Sequence, residues 1–378
     1  MFLQRTQLTA RPCTRGFGHP PVLVAGKAVQ RAERSAGLRA VVKPAPSAAF
    51  DIEERIQFLQ RDLTHLFDEQ GIDSSAYNDK VEFLDPITKY DSLEGYLFNI
   101  KMLKVVFKPQ FQLHDIQAAG PTAVVSRWTM IMDFTPAQFL PLPWKPQLIF
   151  TGTSRYEFNE LGKIYKHIDT WDSISDQQFL SFEAVRDLSK QFLATYSVPK
   201  DLQQPDYTIL RRAAEYQVRQ YQPYLVAETA GKGFQTFGTL AKYIFGGNER
   251  NEQMSMTTPV FSDATGRMGF VIDPTAHKDL GTVPKPTPGA AVSTRTEPGG
   301  IWAVRVFGGI ADERDAEKEA QKLFKALDAD GISYEEGGWR LARYNDPGTL
   351  PPFRKNEVQI RLKEPFELWL PGEISRTA

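Results

Sequence analysis

From Asp51 onward the chain alternates between two hydrophobic periods. Ile52, Ile56, Leu59, Leu63 and Leu66 recur at steps of four and three with charges between them, which predicts one face of an amphipathic helix ending at Gly71. A second helix is expected over 93–105, after Asp85-Pro86, with Asp91 or Ser92 as its N-cap and Glu94 in its first turn. The period then becomes two. Segments 111–116, 123–134, 148–158 and 163–171 are rich in β-branched and aromatic residues, and Asn159-Glu-Leu-Gly162 reads as a hairpin turn between the last pair. Helices followed by a meander predict an α+β fold. A helix over 179–196 and a proline-marked stretch over 197–205 read as a connector and a linker.

Beyond the linker, Tyr216-Gln-Val-Arg-Gln-Tyr221 is echoed by Trp302-Ala-Val-Arg-Val-Phe307, each followed by a helical pattern. The first helix, about 233–245, carries Phe237, Leu240, Ala241 and Ile244 on one face; the second, about 312–329, carries Ala316, Ala320, Leu323 and Leu327. Each ends in glycine, at Gly246 and Gly331. Further strands are expected over 254–261, 266–272, 338–344 and 357–362. A duplicated strand-helix-strand-strand unit predicts a pseudo-two-fold domain, an antiparallel sheet or distorted barrel with two packed helices and a cleft.

Composition narrows what such a chain does. Its 378 residues suit two domains. The formal charge of −1 hides a basic leader, since residues 1–50 hold eight Lys or Arg against Glu33 alone. The acidic remainder has no overall attraction to nucleic acid. The one cysteine, Cys13, lies in that leader, so residues 51–378 offer no thiolate to haem or to an iron–sulfur cluster. Arg- and Ala-rich, acid-poor and without a continuous apolar core, residues 1–50 read as a transit peptide, with a small-residue site at Leu38-Arg-Ala-Val41. A chloroplast address is expected, although a mitochondrial leader has nearly the same composition. No apolar run reaches membrane-spanning length, so a protein soluble in the stroma or peripheral to a thylakoid or plastoglobule surface is expected.

Two resemblances fit this layout. The stretch 205–370 resembles a SOUL-family haem-binding domain, through Tyr216-Gln-Val-Arg-Gln-Tyr221, Gly246-Gly-Asn248, Met256-Thr-Thr-Pro-Val260 and Asn356-Glu-Val358 in that order. Residues 51–175 resemble a cone-shaped SnoaL-like or nuclear-transport-factor-like domain. Through Asp85-Pro86, Gly95, Gly152, Tyr156, His167, Asp169 and Trp171 they also look like an uncharacterised domain of plant and algal plastid proteins. Residues 176–204 connect the two.

The SOUL resemblance implies non-covalent binding of haem or another porphyrin, either through an axial histidine or through an apolar cleft with cations near the propionates. Gln220 stands where the histidine would be, so the cleft mode is expected. Its candidate residues are Phe237, Leu240, Ala241, Lys242 and Ile244 on the first helix, with Arg354 and Lys355 in the last loop. His277, Met254, Met256, Tyr216 and Tyr221 are weaker candidates for iron, the first because a loop histidine is usually solvated. A tetrapyrrole carrier or buffer is therefore the leading expectation, without metal or catalytic residues, and a dimer through the cone is open. The alternative is a SnoaL-like enzyme in which His167 and Asp169, two apart on a strand, do acid–base work and the SOUL half serves as a binding or docking module.

Overall fold

In the computed structural model, which describes residues 50–138, 146–196, 198–199, 201–231 and 233–374, the first helix starts where its cap dictates. The Asp51 carboxylate accepts from Glu53 N at 2.9 Å, and α1 (Ile52–Asp62) buries Ile56 and Leu59. The leader lies outside the described residues. After β1 (Tyr77–Leu84) and β2 (Lys89–Tyr90), Ser92 Oγ accepts from Gly95 N at 3.2 Å and starts α2 (Leu93–Val106). The strands β3 (Phe107–Ala118), β4 (Ala123–Phe134), β5 (Gln147–Phe158) and β6 (Ile164–Trp171) follow. They make a six-stranded sheet in the order β2-β1-β6-β5-β4-β3.

Four of these strands match the expected meander; β1 and β2 were not expected. β1 joins parallel to β6 and buries Tyr77, Val81 and Phe83 between polar residues. Along β4, Val124 and Trp128 lie in cores on one face, while Arg127 and Thr129 occupy the other. The connector shortens to α3 (Phe182–Phe192), capped by Ser181.

The second sheet contains β7 (Tyr207–Arg212), β8 (Gln217–Tyr221), β9 (Tyr224–Ala230), β10 (Val260–Asp263), β11 (Arg267–Val271), β12 (Ser293–Glu297), β13 (Gly300–Gly308), β14 (Arg340–Arg343) and β15 (Lys355–Arg361). Helices α4 (Phe234–Ile244) and α5 (Glu313–Ala329) follow β9 and β13. The strand order is β12-β9-β11-β10-β14-β15-β13-β8-β7. Apart from β7 it reads the same from both ends if β8 to β11 are matched with β12 to β15.

That order confirms the pseudo-two-fold plan and corrects the repeat used to infer it. The segments around Tyr216 and Trp302 are not equivalent copies; they are antiparallel neighbours, with Trp302 opposite Arg219. The true partner of β13 is β9, because each precedes a helix. Both helices pack on one face of the sheet, α5 through Ala316, Ala320, Leu323 and Leu327, and α4 through Leu240, Tyr243 and Ile244. The other face buries Tyr221, Tyr224, Phe261, Trp302 and Tyr344. The strand expected from Met254 begins only at Val260; Met254 N instead donates to Ile244 O at the end of α4.

The two sheets meet closely within one unit that begins at Phe50. Thr129 Oγ1 donates to Ile209 O at 2.7 Å, and Arg212 N donates to Thr151 Oγ1 at 2.7 Å. Arg127, wholly buried, pairs with Asp172 at 2.6 Å and with Glu373 at 2.9 Å. Trp369 Nε1 donates to Asp115 Oδ2 at 2.6 Å. The outer face of the cone sheet is thus covered by the chain's own β7 and C-terminal segment.

Candidate functional site

Helix α4 presents two apolar faces. Leu240 and Ile244 are buried on one and pack against the sheet, while Phe237 is half-buried with its ring 5.1 Å from Phe270. On the other, Phe234 is 88% exposed and Phe245, at the C-cap, is 56% exposed. Exposed Gly238 and half-buried Ala241 lie between them. The spacing 234, 238, 241, 245 keeps these four on one side of the helix, over about 16 Å of its axis. Exposed Lys242 adjoins this stripe.

The segment after α4 holds that geometry. Asn248 Nδ2 donates to Tyr243 O and Glu252 O at 3.1 and 2.7 Å, and its Oδ1 accepts from Arg250 N and Glu252 N. At Gly247 a Cβ would lie 2.6 Å from Lys242 O, so the close turn needs glycine. The Gly-Gly-Asn motif therefore ends the helix and leaves Phe245 outside the core.

The expected site residues do not come together. Leu240 and Ile244 are core, with no surface for a ligand; Phe237 and Ala241 are half accessible; Lys242 is free of the core. Arg354 donates to Thr349 O and Pro347 O and pins its own loop, while Lys355 Nζ lies 3.0 Å from Glu357 Oε1. These two cations sit by β15, whereas α4 packs on β9 and β11. Phe234 and Phe245 fall outside the buried stripe that the apolar pattern marks, and the spacing 234, 238, 241, 245 is the sequence signal of this second face.

The groove between α5 and the central strands encloses about 350 Å³, lined by Ser262, Asp263, Glu313, Glu317, Trp339 and Leu341, with Arg314. Trp339 Nε1 donates to Glu317 Oε2 at 2.9 Å. Three carboxylates against Arg314 alone disfavour an anionic ligand there.

The candidate iron ligands are mostly engaged or misplaced. Gln220 is exposed, Tyr216 Oη donates to Asp330 Oδ2 at 2.5 Å, and Met254 is core. His277 is buried rather than solvated, its Nδ1 3.1 Å from Thr282 O. Among the described residues no cluster of three His, Cys, Asp or Glu side chains is placed to hold a metal ion.

Two expected motifs instead meet on the inner face of the second sheet, the one opposite its helices. Arg219 Nη1 donates to Glu357 Oε1 at 3.0 Å, and Tyr344 Oη and Gln359 Nε2 donate to Glu357 Oε2, each at 2.8 Å. Burial alone would raise the Glu357 carboxyl; Arg219, Lys355 and Tyr344 overcome it and hold it at about 2.

Residues 202–361 match the family model described as SOUL heme-binding protein. The C-terminal half is a SOUL domain. Residues 53–167 match an uncharacterized conserved protein family, DUF2358. Solved structures similar to this N-terminal region include an LEH-like epoxide hydrolase of M. tuberculosis, at 17% identity over 37% of this chain and 90% of that one, TM-score 0.28. An NTF2-like protein of unknown function from Exiguobacterium shares 12% identity over 32% and 98% of the two chains, TM-score 0.25. A SnoaL-like protein from Shewanella putrefaciens shares 14% over 36% and 95%, TM-score 0.28. No curated protein matches the chain. Among the described residues no helix is long and apolar enough to cross a membrane.

In the cone, His167 Nε2 lies 2.8 Å from Asp169 Oδ1, which also accepts from Ser154 Oγ at 2.5 Å; Trp128 Nε1 donates to Ser154 Oγ at 2.7 Å. The imidazole stacks on Tyr156 at 4.3 Å and meets Phe83 and Tyr96 edge-on. Its Nδ1 has no hydrogen-bond partner among the described residues. The expected His/Asp pair is therefore made, inside a core packed with aromatic rings.

Proposed function

We propose that this protein binds a tetrapyrrole, haem or a metal-free porphyrin, on the exposed face of α4 and acts as a plastid carrier or buffer rather than transforming it. The observation that carries the reading is the solvent-facing stripe of Phe234, Gly238, Ala241 and Phe245 beside Lys242, in a SOUL domain. Small residues at the centre let a flat ring lie close to the helix, the phenyl rings flank it, and the ammonium meets a propionate. Apolar burial supplies affinity, at about 25 cal/mol per Å². Among the described residues no strong axial ligand adjoins this face, so iron adds little.

The basic, acid-poor leader supports a chloroplast setting, with thylakoid or plastoglobule contact as peripheral association. Dimerisation through the cone would use a surface other than the outer sheet face, which the chain itself covers. A second reading, acid–base chemistry in the cone, is favoured by the unpartnered His167 Nδ1, since Asp169 holds the opposite ring nitrogen.

Haemin and protoporphyrin titrations of the full chain, followed by the Soret band and by porphyrin fluorescence, test the carrier reading. Saturable binding of both with similar affinity is expected. Phe234→Asp and Phe245→Asp should each weaken it about tenfold or more, because each replaces buried ring contact with a charge. Binding unchanged in both variants would refute the α4 site; no binding by the parent protein would refute the function.

A further inference from the structure

The inner face of the second sheet treats its two ends differently. Around Glu357 every charge has partners. Around Arg340, donors lack acceptors. The Arg340 guanidinium carbon lies 3.7 Å from the Trp302 ring centroid and 4.3 Å from that of Phe261. Its Nε donates to Gln359 Oε1 at 2.8 Å, but its Nη2 is buried with no hydrogen-bond partner among the described residues. The Tyr224 hydroxyl and the Trp302 indole N–H share that condition, on side chains only 6% and 8% exposed.

A cavity of about 60 Å³ opens here, lined by Tyr224, Val226, Phe261 and Arg340 together with the acids Glu228, Asp263 and Glu297 and the cations Arg267 and Arg295; Asp263 Oδ1 is taken up by Thr265 N and Arg267 N. Arg295 braces its rim, donating to Glu228 at 2.9 Å and to Glu297 at 2.8 Å, so those carboxylates are already neutralised. Burial pushes the Tyr224 phenol up against the opposing charge and close polar contact of Arg340 on the phenol oxygen, and the hydroxyl proton remains to be donated. A buried donor left unpaired costs about 1–3 kcal/mol, and native cores hold few of them. All three orphaned groups can donate, and the complementary ligand group is an acceptor.

We propose that this cavity is a second binding site, for a small carboxylate held between the Tyr224 hydroxyl and Arg340 Nη2. Guanidinium geometry suits a carboxylate, and Val226 and Phe261 contact the carbon to which it is attached. The volume admits about two water-sized groups, enough for a carboxylate head. The site lies on the sheet face opposite α4, so it stands independently of the tetrapyrrole reading.

The test is a titration of the ¹⁵N-labelled full chain with acetate, with inorganic phosphate as control. Trp302, whose ring lies against Arg340, is the reporter, and its indole N–H resonance is assigned from Trp302→Phe. Acetate should shift it saturably. Tyr224→Phe removes only the hydroxyl and leaves the ring packing intact, yet should weaken acetate about tenfold or more; Arg340→Lys should do the same. Phe234→Asp should leave the titration unchanged. No saturable shift, equal acetate affinity in Tyr224→Phe, or a response to phosphate with none to acetate would overturn the proposal.

Discussion

Both halves of the molecule bury acids, and the surroundings differ. In the SOUL domain the fully buried Glu357 meets Arg219 and Lys355, each at 3.0 Å, and Tyr344, Gln359 and Tyr221 complete the network. In the cone, Asp85 accepts from Ile87 N, Thr88 N and Thr88 Oγ1 at 2.5 to 2.6 Å, with no cation among the influences on it. Burial therefore pushes Asp85 up to about 6, aided by the negative charge of Asp169, whereas Glu357 falls to about 2. Hydrogen bonds alone did not offset the loss of solvation; buried cations did.

The comparison can be broken most sharply at Glu357. Glu357→Ala leaves Arg219 and Lys355 facing each other in the core and should cost about 3–5 kcal/mol, measured by urea unfolding. A loss under about 1 kcal/mol would show that the network is solvated. His167→Ala should cost less, about 1–3 kcal/mol, since it removes one partner of Asp169 and a ring packed among three aromatics. Equal losses in the two variants would erase the distinction between the halves.

The pH dependence sharpens the contrast at smaller scale. Asp85 has a folded value raised from 3.8, so its contribution is full below about pH 4 and is lost as pH rises through about 6. Glu357 has a folded value lowered from 4.5, so its contribution is full above that value and is lost as pH falls through about 2. Asp85→Asn should remove a slope of at most about 1.4 kcal/mol per pH unit between pH 4 and 6, measured by urea midpoints at each pH. Glu357→Gln should instead remove the opposite slope below about pH 4.5 and leave the slope between about pH 5.5 and 6 in place; a change in that upper window would assign it to the wrong half.

Much of the fold was legible in one dimension. The helices α1, α2 and α5 carry side-chain N-caps and α4 an apolar stripe ended by glycine, all of which local sequence records, and β3 to β6 are marked by β-branched and aromatic residues over eight to twelve positions. β1 was not legible, because its buried residues are separated by Asn78, Asp79 and Lys80 and gain meaning only beside β6. The repeat was misread for a related reason. Two strands of similar sequence are neighbours rather than copies, and only pairing distinguishes those cases.

The site divides the same way. Composition and motifs determined a SOUL domain, an α+β plan, an acidic protein after residue 50 and the absence of a thiolate beyond Cys13, since these depend on which residues are present and on their local period. Tertiary structure decided that Leu240 and Ile244 are core while Phe234 and Phe245 are surface, that Lys355 belongs to Glu357, and that Arg340 ends beside Tyr224. Those outcomes depend on which strands curl toward each other, and exposure and charge pairing are properties of that arrangement.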